Sequence, residues 1–88
     1  HLVAVDKVRG RRKSIMALVD RMEKQVAGFD NPIVMINHGD VPEDAELLRS
    51  QVESRLGIHN FIVNPVGPVI GSHGGPGILT LHFLGSPR

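Results

Sequence analysis

Between residues 67 and 77 the chain reads Gly67-Pro68-Val69-Ile70-Gly71-Ser72-His73-Gly74-Gly75-Pro76-Gly77, and five of its ten glycines fall there. Glycine lets backbone take positive φ or approach another group closely, and each one raises the entropic cost of ordering the segment. The hydroxyl of Ser72, the imidazole of His73 and backbone N–H groups left uncovered at Gly71 and Gly74 make a donor set suited to an anionic group. A plainer reading stands beside it. A Gly/Pro-rich connection between two apolar runs is also the composition of a wide turn, in which a lone histidine is a surface or hydrogen-bonded residue.

The second concentration of chemistry is basic. Lys7, Arg9, Arg11, Arg12 and Lys13 stand against the single Asp6 in the first thirteen residues, although the whole chain carries a formal charge of only +1. Such a cluster can meet phosphate, an acidic partner or water. Nucleic acid is disfavoured, because the chain has no Trp or Tyr on which bases could stack. A phosphate or nucleotide site remains as an alternative, but neither G-x-x-x-x-G-K-[ST] nor a G-x-G-x-x-G between a strand and a long helix occurs. His38, His59, His73 and His82 each fall in a separate segment, a spacing that matches no recognisable metal site. His38, before Gly39-Asp40, reads as a turn residue, and His82 as a buried hydrogen-bonded residue rather than one aimed into a cleft. No nucleophile with a positioned base and no pair of cleft carboxylates is visible. A binding protein without a cofactor is expected, rather than an enzyme.

The elements that would position these residues follow from periodicity. Leu2-Val3-Ala4-Val5 reads as a strand leaving at Gly10, and a helix is predicted over 11–27, where Ile15, Leu18, Val19, Met22 and Val26 recur at helical spacing and Gly28 stands in the C′ role. Asn31-Pro32 reads as a breaker, and Ile33-Val34-Met35-Ile36 as a strand covered on both faces. Asp40 and Glu43 have the spacing of a capping box for a second helix starting at Val41, with Ala45, Leu48, Val52 and Leu56 inward and Gly57 as its stop. A third strand is predicted at 60–63, ended by Asn64-Pro65. A fourth, at 78–84, puts Leu79, Leu81 and Phe83 on one face and Ile78, Thr80, His82 and Leu84 on the other. Gly85-Ser86-Pro87-Arg88 is expected to fray. The order β-α-β-α-β-loop-β argues for an α/β layer.

At 88 residues the chain holds at most one domain with a thin core, and without cysteine it has neither disulfide nor thiolate metal site to compensate. No run near twenty apolar residues occurs, so no transmembrane segment is expected, and cysteine usage hints at a cytoplasmic location. Two helices and three phenylalanines are little with which to cover both faces of a sheet. The chain also opens at His1 directly into a strand, so a longer protein with a further covering segment is expected.

The glycine-rich segment, with a G-x-H-x-G-P-G core in Gly71-Ser72-His73-Gly74-Gly75-Pro76-Gly77, and the helix entrance Lys7-Val8-Arg9-Gly10-Arg11-Arg12-Lys13 together resemble the DegV family, which includes the fatty-acid-binding subunit of bacterial fatty acid kinase. The resemblance spans nearly the whole chain. It implies that residues 1–88 are the C-terminal portion of a two-domain protein whose N-terminal lipid-binding domain is not in this chain. It implies a long-chain fatty acid as ligand, His73 among the contacts of its carboxylate, and Arg9 as a docking residue for a kinase subunit. Further carboxylate contacts, from hydroxyl residues in a Thr/Ser-rich segment of the other domain, have no counterpart here.

Overall fold

The computed structural model describes residues 2–65 and 77–87. Six elements follow in order: β1 (Leu2–Arg9), α1 (Arg12–Val26), β2 (Phe29–His38), α2 (Pro42–Leu56), β3 (Phe61–Pro65) and β4 (Ile78–Pro87). The four strands form one mixed sheet in the order β1-β4-β2-β3, with β4 antiparallel to both of its neighbours and β3 parallel to β2. The expected α/β layer is present.

Both helices lie on one face of the sheet. Ile15, Leu18, Val19 and Met22 of α1 and Ala45, Leu48 and Val52 of α2 bury their stripes against Val5, Val34, Ile36, Leu79, Leu81 and Phe83. This is the core that helical and strand periodicity select from the sequence. Phe29 meets Phe83 edge to face, with ring centroids 5.1 Å apart. At the periphery Arg21 pairs with Asp6, and Arg55 of α2 reaches Asp20 of α1 at 2.6 Å, tying the helices to β1 and to each other.

Several local expectations fail, among them Asn64-Pro65 as the end of the third strand, since both residues lie within β3. Asn31-Pro32 does not break β2: the strand begins at Phe29 and absorbs the pair as a register shift between Asp30 and Ile33, with Asn31 at φ 49. A bulge has no ladder bond for proline to remove. Gly85-Ser86-Pro87 does not fray, because Ser86 and Pro87 stand opposite Asp30 and Phe29 in that same extension. Gly28 lacks the positive φ of a C′ cap, whereas Gly57, at φ 69, takes it and donates its N–H to Glu53 O at 3.0 Å. The run 33–36 is covered on one side only among the described residues, with Ile33 37% exposed.

Candidate functional site

β1, β2 and β3 all run parallel and end where β4 begins, so the exits of three strands, the starts of both helices and the flanks of the glycine-rich segment, Pro65 and Gly77, share one end of the sheet. In open α/β sheets this carboxyl end is where ligands collect. Gly71, Ser72, His73 and Gly74 lie outside the described residues. What is described is the frame to which the chain ties them.

That frame is stitched through backbone. Gly10 N–H donates to Gly77 O at 2.7 Å, Gly77 N–H to Gly39 O at 2.8 Å, and Gly39 N–H to Ile78 O at 2.9 Å. Gly77 holds φ 84, a region where a Cβ is strained. At Gly10 the constraint is a neighbour, since a Cβ there would stand 2.4 Å from Oδ2 and 3.2 Å from Cβ of Asp44 in the first turn of α2, and the Asp44 side chain would have to turn away.

The basic cluster sits at the same end. Arg9 is exposed at the close of β1, opposite Ile78, and Arg11, Arg12 and Lys13 are exposed where α1 starts. No acidic residue occupies the first turn of α1 and no side chain caps it. The positive end of that helix and three cations therefore add their fields rather than cancelling them.

The entrance to α2 differs from the expectation. Asp40 stands at φ 58, outside the extended region that a capping residue adopts, so the cap moves to Val41 and no capping box with Glu43 forms. The Val41 N–H is taken instead by Nδ1 of His38, at 3.1 Å. His38 is thus more than a turn residue: it is only 6% exposed and closes the strand-to-helix turn. The sequence signal, a polar side chain three residues before the acceptor-seeking N–H, was available but unspecific.

The face of the sheet away from the helices is bare among the described residues, and its registers arrange it in rows. Leu2, Leu84 and Ile33 form one row, Ala4, His82, Met35 and Ile62 the next, Lys7, Thr80, Asn37 and Asn64 a polar row, and Arg9 with Ile78 the last, at the glycine-rich end. Leu2, Ile62 and Leu84 are 61%, 48% and 42% exposed. His82 was expected to be buried and hydrogen-bonded; it is half-buried in the middle of this face with no hydrogen-bond partner among the described residues. Among the described residues no three His, Asp or Glu side chains gather as metal ligands, and no helix is long and apolar enough to cross a membrane.

Comparison with known proteins identifies this frame. The family described as "Uncharacterised protein, DegV family" matches residues 1–85. A DegV domain-containing protein of Clostridium perfringens is 34% identical over 82 residues, covering 93% of this chain and 28% of that protein. Those of Streptococcus pyogenes and Listeria innocua are 33% and 32% identical, over 96% and 91% of this chain and again 28% of their own length. The chain therefore spans a little over a quarter of these relatives. Among solved structures, a DegV family protein from Eubacterium eligens, loaded with heptadecanoic acid, superposes with a TM-score of 0.65 over 84% of this chain and 27% of its own, at 14% identity, which is a likeness of fold. With its fold and all but its last three residues matched, this chain belongs to the DegV family.

Proposed function

We propose that the protein binds a long-chain fatty acid and presents its carboxylate to a partner kinase, acting as a cytoplasmic carrier rather than as an enzyme. The observation that carries this reading is membership of the DegV family, one of whose members is loaded with heptadecanoic acid. In this reading His73, with Ser72 and the N–H groups of Gly71 and Gly74, holds the head group. A fatty acid is a monoanion on an apolar tail, so its site needs a few donors at the mouth of an apolar surface.

The bare sheet face supports the proposal by its gradient. Its polar row of Lys7, Thr80, Asn37 and Asn64 lies toward the glycine-rich end, and its apolar rows of Leu2, Leu84, Ile33, Met35 and Ile62 lie away from it. A tail laid along that axis would meet carbon where it is carbon and donors where it is charged. The second wall, and further carboxylate contacts, would come from a separate N-terminal domain. Arg9, exposed beside the segment, is assigned to the kinase interface.

The test is made on the product of the complete gene, purified and weighed intact under native and then denaturing conditions. A mass increment of a long-chain fatty acid, lost on denaturation, is expected. Replacing His73 with alanine removes a donor that is charge-assisted when the ring is protonated, so affinity for heptadecanoic acid should fall about ten- to a hundredfold, and His73→Gln, which keeps one N–H, should lose less. Arg9→Ala should leave that affinity unchanged and slow phosphoryl transfer. A His73→Ala protein that folds and binds as tightly as wild type would remove the glycine-rich segment from the reading.

A further inference from the structure

The glycine-rich segment rejoins the described sheet at Gly77, and that point is gripped from both neighbouring strands. Gly10, directly after β1, donates its N–H to Gly77 O, and Gly39, directly after β2, accepts from Gly77 N–H at its carbonyl and donates its own N–H to Ile78 O. Of the two grips, Gly39 makes two of the three bonds. Whatever fixes Gly39 therefore fixes where the segment returns.

Gly39 is buried, and Asp40 after it stands at φ 58, a left-handed conformation that is uncommon for a residue with a Cβ but that aspartate tolerates better than most. Around them are His38 on one side and the start of α2 on the other. Nδ1 of the buried His38 ring accepts the Val41 N–H at 3.1 Å, closing a loop around Gly39 and Asp40, and Val41 O then accepts from Ala45 N–H to open the helix. The imidazole suits the position because its carbon edge can lie in the covered face while one nitrogen faces the turn. With Nδ1 accepting, the neutral ring carries its proton on Nε2.

We infer that His38 is a positioning residue for the candidate site: by tying Val41 back across Gly39 and Asp40, it fixes both hydrogen-bonding groups of Gly39 and through them the return of the glycine-rich segment at Gly77. The functional half of this inference rests on the fatty-acid reading above. The structural half rests on the hydrogen bonds alone.

Two substitutions separate the hydrogen bond from the bulk of the ring. His38→Asn places Oδ1 the same number of bonds from the backbone as Nδ1, so the acceptor is kept while the ring is lost. His38→Leu keeps apolar volume and removes the acceptor. Both are made in the product of the complete gene, with amide hydrogen exchange and heptadecanoic acid affinity as readouts. In His38→Leu the amides of Gly39 and Gly77 should exchange about tenfold faster relative to those of Val34 and Ile36, and affinity should fall about fivefold, whereas His38→Asn should stay within about twofold of wild type in both. A purely structural role would speed all four amides together and would not be rescued by asparagine.

Unchanged relative exchange at Gly77 in His38→Leu would overturn the inference, as would affinity equal to wild type once exchange there has risen. If the wild-type protein binds no heptadecanoic acid, the fatty-acid reading falls, and the positioning of Gly77 by His38 stands or falls on the exchange data.

Discussion

The two faces of the sheet are made from alternate residues of the same strands, yet they obey different rules. Toward the helices, Leu79, Leu81 and Phe83 are fully buried in a core of aliphatic side chains. On the other side, Ile78, Thr80, His82 and Leu84 interleave with them along β4 and mix apolar with polar groups, the first three partly buried and Leu84 exposed. One face is designed by volume and the other by the order of its chemistry along the strand. A bare apolar surface on so small a unit is a place for something to bind.

Substitutions of adjacent residues of β4 should separate the two faces most clearly. Phe83→Ala should destabilise the fold by about 3–5 kcal/mol, through lost burial and the cavity left beside Phe29. Leu84→Ala, one residue on, should stay within about 0.5 kcal/mol. Urea midpoints of the two variants check this, and equal losses would mean that the bare face is filled in the protein as expressed. A smaller effect is expected at Gly85, which shares the covered face. A Cβ there would stand 3.1 Å from Cβ of Phe29, so Phe29 would have to give by a few tenths of an ångström in a packed core. Gly85→Ala should cost about 1–3 kcal/mol by overpacking. Gly10→Ala meets the movable end of Asp44, and pairing it with Asp44→Ala should recover most of its loss.

On the bare face the readout should be binding rather than stability. Met35→Asp, in the apolar row beside His82, should weaken heptadecanoic acid by at least about tenfold, since a buried carboxylate would lie against the tail. The thermal midpoint should move little. Calorimetry of binding and of unfolding on one preparation separates these outcomes.

The smallest effect is electrostatic and lies on neither face. The hydrogen bond from Arg49 holds the Glu46 carboxyl below its usual range, and the contact of His59, then Arg49, does the same for Glu53. Lowered folded-state values give stability that is present above the unfolded value, near 4.5, and is lost as pH falls through the lower folded values. The urea midpoint should therefore drop slightly below about pH 4.5, and Arg49→Ala should flatten that drop.

How much of this could be read from sequence depended on whether the deciding contact was local. Helix stripes such as Ile15, Leu18, Val19 and Met22, and the alternation of β4, were legible because their periods depend only on the element itself. Asn31-Pro32 misled because proline breaks a regular ladder, and only the pairing of β2 with the end of β4 reveals a bulge there. Asp40-x-x-Glu43 misled because the competing acceptor for the turn, His38, becomes available only when β2 is buried. The glycine-rich segment is distinguished by composition and the basic cluster by charge, whereas singling out Arg9 within that cluster took the family resemblance. The bare face could be inferred as too few covering residues, but its rows needed the register across four strands.

β4 lies in the middle of the sheet and is made last among the described strands, while its partner β1 is made first. Leu2 stands opposite Leu84, so β1 has no ladder partner in this sheet until residues 78–84 have left the ribosome. At about 5–20 residues per second this is a wait of roughly 4–16 s, during which β2, α2 and β3 can assemble as a local unit while β1 has only α1 to pack against. Ribosome-stalled chains that end at Gly77 and carry an inert linker long enough to bring Gly77 out of the exit tunnel should be cut by protease within β1 but protected in α2.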